Sequence, residues 1–192
     1  MWDNKKKEEE MKYKKKFTLK NGQVGWVRNG EDQDAKEILQ LFTSLYQETD
    51  HLIAYPDENS LTLKEEEAYL REKKDAPAEV SLIAEVDGKI VAIGGLNSLG
   101  SFCKIKHRSS LGIAVKKDYW GQGIGEAISL ACIECGKKAG YGQVELEVLE
   151  KNLPGIGLYE KLGFKVFGRN PRGFRSREGD DLELILMAKT LD

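Results

Sequence analysis

At 192 residues, 40% hydrophobic and 32% charged, the chain is long enough to bury the core of one globular domain. Its 30 Lys and Arg against 32 Asp and Glu leave a formal charge of −2, so no global field draws it to nucleic acid or to an anionic membrane. No apolar run approaches the roughly 18 residues that span a bilayer, and MWDNKKKEEE lacks the apolar stretch of a signal peptide; a soluble cytoplasmic protein is expected.

Residues 1–16 are nearly all charge, relieved by Trp2, Met11 and Tyr13, and read as a frayed helical or disordered arm, with a partner-docking helix as the alternative. The domain is expected over 17–192. Two short strand-like pieces between Phe17 and Arg28 flank Asn21-Gly22, a pair that favours a hairpin turn. Ile38, Leu39, Leu41, Phe42 and Leu45 follow helical spacing, with Asp32 or Asp34 as N-cap. After a loop broken by Pro56, Thr62 and Glu65 match capping-box spacing at the head of a second helix.

Apolar, β-branched runs from Val80 to Val86 and Lys89 to Leu96 are joined by Asp87-Gly88, the strongest local hairpin signal in the chain. A further strand should end at Val115. A helix is expected over 123–139, a strand over 143–148, a helix over 153–162, and closing strands over 165–168 and 182–188. No repeat or linker divides this order, which describes a single α/β (α+β) domain with a mixed sheet flanked by helices. Cys132 and Cys135 form a CxxC without a second Cys or His pair nearby, and their i, i+3 spacing puts both thiols on one helix face, so packing is the expected role of these reduced thiols. No metal site is expected.

The chemistry gathers where an apolar strand meets Gly121-Gln122-Gly123-Ile124-Gly125 and becomes a helix. Such a turn leaves backbone N–H groups open at the positive end of a helix dipole, which suits an anion. Glu126 stands where a GxGxxG dinucleotide loop needs its last glycine, and no GxxxxGK[ST] is present. A glycine-rich turn without a ligand is the remaining alternative.

Val115, a short loop and Gly121 to Gly125 opening a helix resemble the pyrophosphate-binding signature of the GNAT superfamily of acyl-CoA-dependent N-acetyltransferases. Downstream, Asn152 to Phe164, NLPGIGLYEKLGF, resembles that family's NxxAxxLYxKxGF segment. The resemblance covers nearly all of the chain beyond the charged arm and implies a single GNAT-like domain with a mostly antiparallel central sheet. Two departures stand out: Trp120 occupies a place where the family often has Arg or Gln, and Gly155 one where it favours Ala. With Gly157 and Pro154, Gly155 lowers helix propensity by roughly 1 kcal/mol per glycine, and an irregular helix start is expected.

The resemblance implies acetyl-CoA as co-substrate. Its pyrophosphate would meet the N–H groups of Gln122, Gly123, Ile124, Gly125 and Glu126 beside Gly121. Its pantetheine arm would pair with the strand at Ile113, Ala114 and Val115 and be hydrogen-bonded by Asn152, while Lys116, Lys117, Lys137 and Lys138 are candidates for the nucleotide phosphates. The reaction would be direct attack of an amine on the thioester, with Tyr159 protonating the departing thiolate. Glu145, Glu147 and His107 are open alternatives for the base, directly or through water. The acceptor would be an amine on a small molecule, a peptide or a protein; Arg172, Arg175 and Arg177 point to an anionic acceptor, Asp57, Glu58 and Asp180 to a cationic one. A non-catalytic acyl-CoA sensor or partner-docking module is the competing reading. The closing strands favour a homodimer.

Overall fold

The computed structural model describes residues 11–58 and 60–191. Eight strands form one sheet in the order β1-β2-β3-β4-β5-β6-β8-β7, antiparallel throughout except for the β5–β6 pair. The strands are β1 (Lys14–Thr18), β2 (Val24–Asn29), β3 (Val80–Val86), β4 (Lys89–Ser98), β5 (Arg108–Val115), β6 (Gln143–Leu149), β7 (Lys165–Arg175) and β8 (Asp181–Thr190). The helices are α1 (Ala35–Glu48), α2 (Leu63–Asp75), α3 (Ile124–Ala139) and α4 (Leu153–Lys161).

Strand alternation sends side chains to two cores. On one face Ile83 and Ile90 pack with Ile38, Leu41 and Leu45 of α1 and Leu70 of α2. On the other, Leu82, Ala84, Leu111, Val144 and Leu146 pack with Ile128, Cys132 and Cys135 of α3 and Tyr159 of α4. The CxxC thiols are therefore core groups; burial raises both, Cys135 to about 11, and neither is available as a thiolate near neutrality.

The Asp87-Gly88 hairpin forms as read, with Asp87 at φ +50 and Gly88 at φ +73. The capping box also forms: Thr62 N–H donates to Glu65 Oε2 at 2.8 Å, and Thr62 Oγ1 accepts from the Glu65 amide. Asp34 takes the N-cap position of α1, but its carboxylate turns instead to Arg28, 2.6 Å from Nη1, and to the Glu31 amide.

Three expectations are corrected. Lys14–Lys16 belong to the sheet rather than to a charged arm, because the backbone supplies the β1–β2 hydrogen bonds while the lysine side chains stay in water. Tyr13 is buried just before β1, its hydroxyl 2.9 Å from Glu134 of α3; residues 1–10 of the arm expected over 1–16 lie outside the described residues. β7 runs on to Arg175 instead of stopping at Gly168, since an edge strand tolerates Pro171 and absorbs register shifts as bulges. The start of α4 is regular, for a reason that lies in Asn152.

Candidate active site

β5 and β6 pair only through Arg108–Gln143, Ser109–Val144 and Ser110–Glu145. Beyond that point β5 continues to Val115 bonded to β4 alone, and β6 continues to Leu149 bonded to β8 alone. The strands part, and along this stretch the backbone groups of Leu111 and Ile113 face the gap without a strand partner, whereas those of Ala114 are turned to β4.

At the open end of the split, a 3-10 turn at Lys117–Tyr119 leads into the glycine turn and α3. The turn is fastened from two sides: the Lys117 amide donates to Glu48 Oε2 at the end of α1 (2.7 Å), and the Lys20 amide donates to the Gln122 carbonyl (3.2 Å). The Trp120 indole N–H donates to the Val115 carbonyl at 2.6 Å, locking the loop against the end of β5. Gly123, the N-cap of α3, has φ +91, and open space lies where a Cβ would stand. No side chain caps this helix, so the N–H groups of Ile124, Gly125 and Glu126 point outward unpaired at the positive end of the dipole. Lys161 of α4 neutralises Glu126, the acidic side chain of the first turn, at 2.6 Å. The cradle fits a phosphate-bearing ligand.

α4 brings Tyr159 to the same core as α3. The ring is 8% exposed and meets Phe164 edge-on at 5.8 Å; burial, with the Cys132 thiol adding to it, pushes the hydroxyl up to about 12. Asn152 caps α4: its Oδ1 accepts from the Gly155 amide at 3.0 Å. A Cβ at position 155 would lie 2.7 Å from Asn152 Nδ2, so glycine there is what lets the asparagine fold over the helix end. With Oδ1 engaged, the Nδ2 group is what Asn152 has left for a ligand.

The three base candidates separate. Arg108 grips the Glu145 carboxylate and Gln143 donates to it at 2.9 Å, holding its pKa below the usual carboxylate range. Glu147 lies two positions further along β6, beyond the last β5–β6 pair; it is exposed and has no recorded ion pair among the described residues. Glu147 shares a strand face with Leu149, which lines the large cleft described below. His107 is exposed at the opposite, paired end of β5, where its carbonyl accepts from Gly142 and Gln143; the fold does not bring it to the split.

Lys137 and Lys138 are also separated from the cradle, at the far end of α3 and roughly 20 Å along its axis. Lys16 and Lys20 stand beside the cradle in their place. They line a cleft of about 340 Å³ with Phe17, Gln122, Gly123 and Ala127. No local pattern marks these two lysines within a basic run; only docking of the N-terminal hairpin on α3 does.

A second cleft, about 910 Å³, opens between the segment after α1, the end of β6 and the β7–β8 hairpin. Arg177 spans its rim, stacking on Tyr55 at 4.2 Å and pairing with Asp57. Among the described residues, no group of three or more His, Cys, Asp or Glu is placed to hold a metal ion, and no helix is long and apolar enough to cross a membrane.

A strand split facing an uncapped glycine helix start suits a ligand that carries phosphates and an amide-rich arm. The model of the acetyltransferase (GNAT) family matches residues 36–164. The chain belongs to the GNAT acetyltransferase family. It is 38% identical over 93 residues to an N-alpha-acetyltransferase of Sulfurisphaera tokodaii, covering 43% of this chain and 54% of that protein, so it spans about half of that relative's length. The structure of a GNAT-family acetyltransferase from Streptococcus pneumoniae superposes with a TM-score of 0.83 at 28% identity, over 87% of this chain and 99% of that one. A Salmonella typhimurium protein solved with acetyl-CoA shares the fold, with a TM-score of 0.77 at 18% identity over 88% of this chain and 94% of that one.

Proposed function

We propose that this protein is an N-acetyltransferase that moves an acetyl group from acetyl-CoA to a primary amine by direct attack. The observation that carries this reading is the meeting of the β5 edge at Leu111 and Ile113, which has no strand partner there, with the uncapped start of α3 at the open end of one strand split. A ligand with pyrophosphate at one end and an amide-rich arm matches both. The phosphates take the N–H groups from Gln122 to Glu126, with Lys16 and Lys20 flanking, and the arm adds to β5 as a strand would.

Binding in the split presents the thioester to the large cleft, from which the amine approaches. Glu147, unpaired and on the cleft side of β6, takes the ammonium proton directly or through a water. The amine nitrogen then attacks the carbonyl carbon. Backbone N–H groups of the β5 edge stabilise the developing oxyanion, worth roughly 3 to 4 kcal/mol where such donors are preorganised. Collapse breaks the carbon–sulfur bond, and Tyr159, still protonated because burial holds its hydroxyl near about 12, gives its proton to the thiolate. The amine's remaining proton returns to solvent and the phenolate is reprotonated.

An amine panel assayed for free thiol and for acetylated product tests this. Thiol release matched by acetylated acceptor is the expected result. Tight acetyl-CoA binding without thiol release on any amine would instead establish a sensor.

A further inference from the structure

The amino-acid sequence leaves the charge of the acceptor open, because the β7–β8 hairpin carries arginines and carboxylates together. Side-chain pairing resolves it. Arg169 bonds Glu183 at 2.6 Å and reaches Glu150 at 3.4 Å. Arg172 and Arg175 both converge on Asp181, at 2.8 and 3.1 Å. Arg177 is held by Asp57 and by the face of Tyr55. All four guanidiniums of the hairpin are thus engaged by carboxylates of this chain.

The carboxylates are not all engaged in return. Asp50, Glu150, Glu178, Asp180, Asp181 and Glu183 line the large cleft against Lys151 and Arg175. Asp50, Glu178 and Asp180 have no recorded ion pair among the described residues; of the lining cations, only Lys151 is likewise unpaired. The cleft therefore carries surplus negative charge drawn from two separate segments, one following α1 and one at the hairpin turn. Leu149 of the same lining stands two residues from Glu147 on one face of β6, which puts the cleft beside the proposed base.

Resting on the acetyltransferase reading above, we propose that the acceptor is a primary amine bearing at least one further positive charge a few bonds away. A lone ammonium in a negative cleft is stabilised in its unreactive protonated form. A second cationic group removes that conflict: it occupies Asp50, Glu178 and Asp180, while the amine to be acetylated advances to Glu147 and the split. Anionic acceptors meet repulsion at the same carboxylates. A di- or polyamine and a peptide N-terminus followed by Lys both supply this chemistry.

The test compares kcat/KM for butylamine, 1,4-diaminobutane, spermidine, and the peptides Ala-Lys-Ala and Ala-Glu-Ala, following free thiol at low and high salt. The expected result is a preference of about tenfold or more for dicationic acceptors over butylamine or the acidic peptide, shrinking as salt is raised. The diamines and the lysine peptide distinguish the two sources of that charge. The triple substitution Asp50→Asn, Glu178→Gln, Asp180→Asn should raise KM for the dicationic acceptors and erase most of the preference, while calorimetry shows unaltered acetyl-CoA affinity. Equal or better use of butylamine or Ala-Glu-Ala overturns this inference and leaves the acetyltransferase standing. Acetyl-CoA binding without transfer to any amine overturns both.

Discussion

Arg108 donates to both carboxylate oxygens of Glu145, with Nη2 2.8 Å from Oε2, and Glu145 is the last residue of β6 still paired with β5. The ion pair therefore closes the inner end of the split. It also sets the roles of two neighbouring glutamates: one carboxylate is spent holding the strands together, and the next on that strand face is free.

Glu147→Gln should lower kcat/KM by about a hundredfold with acetyl-CoA affinity retained, whereas Glu145→Gln should leave turnover within a few-fold. Steady-state kinetics beside calorimetry on both variants checks this. Equal losses would return Glu145 to the chemistry.

The same pair predicts a pH dependence of stability. Arg108 holds the Glu145 pKa below its free value, so the unfolded state binds the proton more readily than the folded one. The stabilisation is complete above the ordinary carboxylate range of about 4.3 and is lost as pH falls through the lower folded value. Urea melts of the wild type and Glu145→Gln should differ most near neutrality and converge as the pH is taken below the ordinary carboxylate range.

Tyr159→Phe should reduce kcat by about a hundredfold or more while acetyl-CoA binding changes little. Because burial lifts the hydroxyl to about 12, the wild-type rate should show no alkaline loss from phenol ionisation near its ordinary value of about 10. A loss centred there would mean that the Tyr159 hydroxyl ionises as a solvated phenol does, and an undiminished rate in Tyr159→Phe would remove it from the role of acid.

Gly155→Ala should destabilise the protein by about 1 kcal/mol, because its Cβ displaces the Asn152 side chain and removes the cap of α4. Asn152→Ala should cost a similar amount. The double substitution should cost less than the two added together, since the clash disappears with the side chain it strikes. Chemical denaturation of the three variants measures the coupling.

Gly123→Ala places a side chain at φ +91, a left-handed conformation costing roughly 1 to 2 kcal/mol, with no clash from neighbouring groups. Relief of that strain would reorient the amides at the head of α3. Acetyl-CoA affinity should fall about tenfold, read by calorimetry, with the remaining secondary structure intact by circular dichroism.

Local pattern was enough to set the order of the elements, the Asp87-Gly88 turn and the Thr62–Glu65 box, and to single out the glycine- and tyrosine-bearing segments as candidates for the site. Each depends on residues a few positions apart, and backbone geometry acts at that range. The sequence also held Gly155 as a departure without its reason, because that reason is the rotamer of Asn152. Tertiary structure alone decided which charges are spent. It paired Glu145 with Arg108 from another strand, neutralised the hairpin arginines, moved Lys137 and Lys138 away from the cradle and brought Lys16 and Lys20 to it. A charge's role depends on which opposite charge lies within a few ångströms, and that distance is set by how the strands and helices pack.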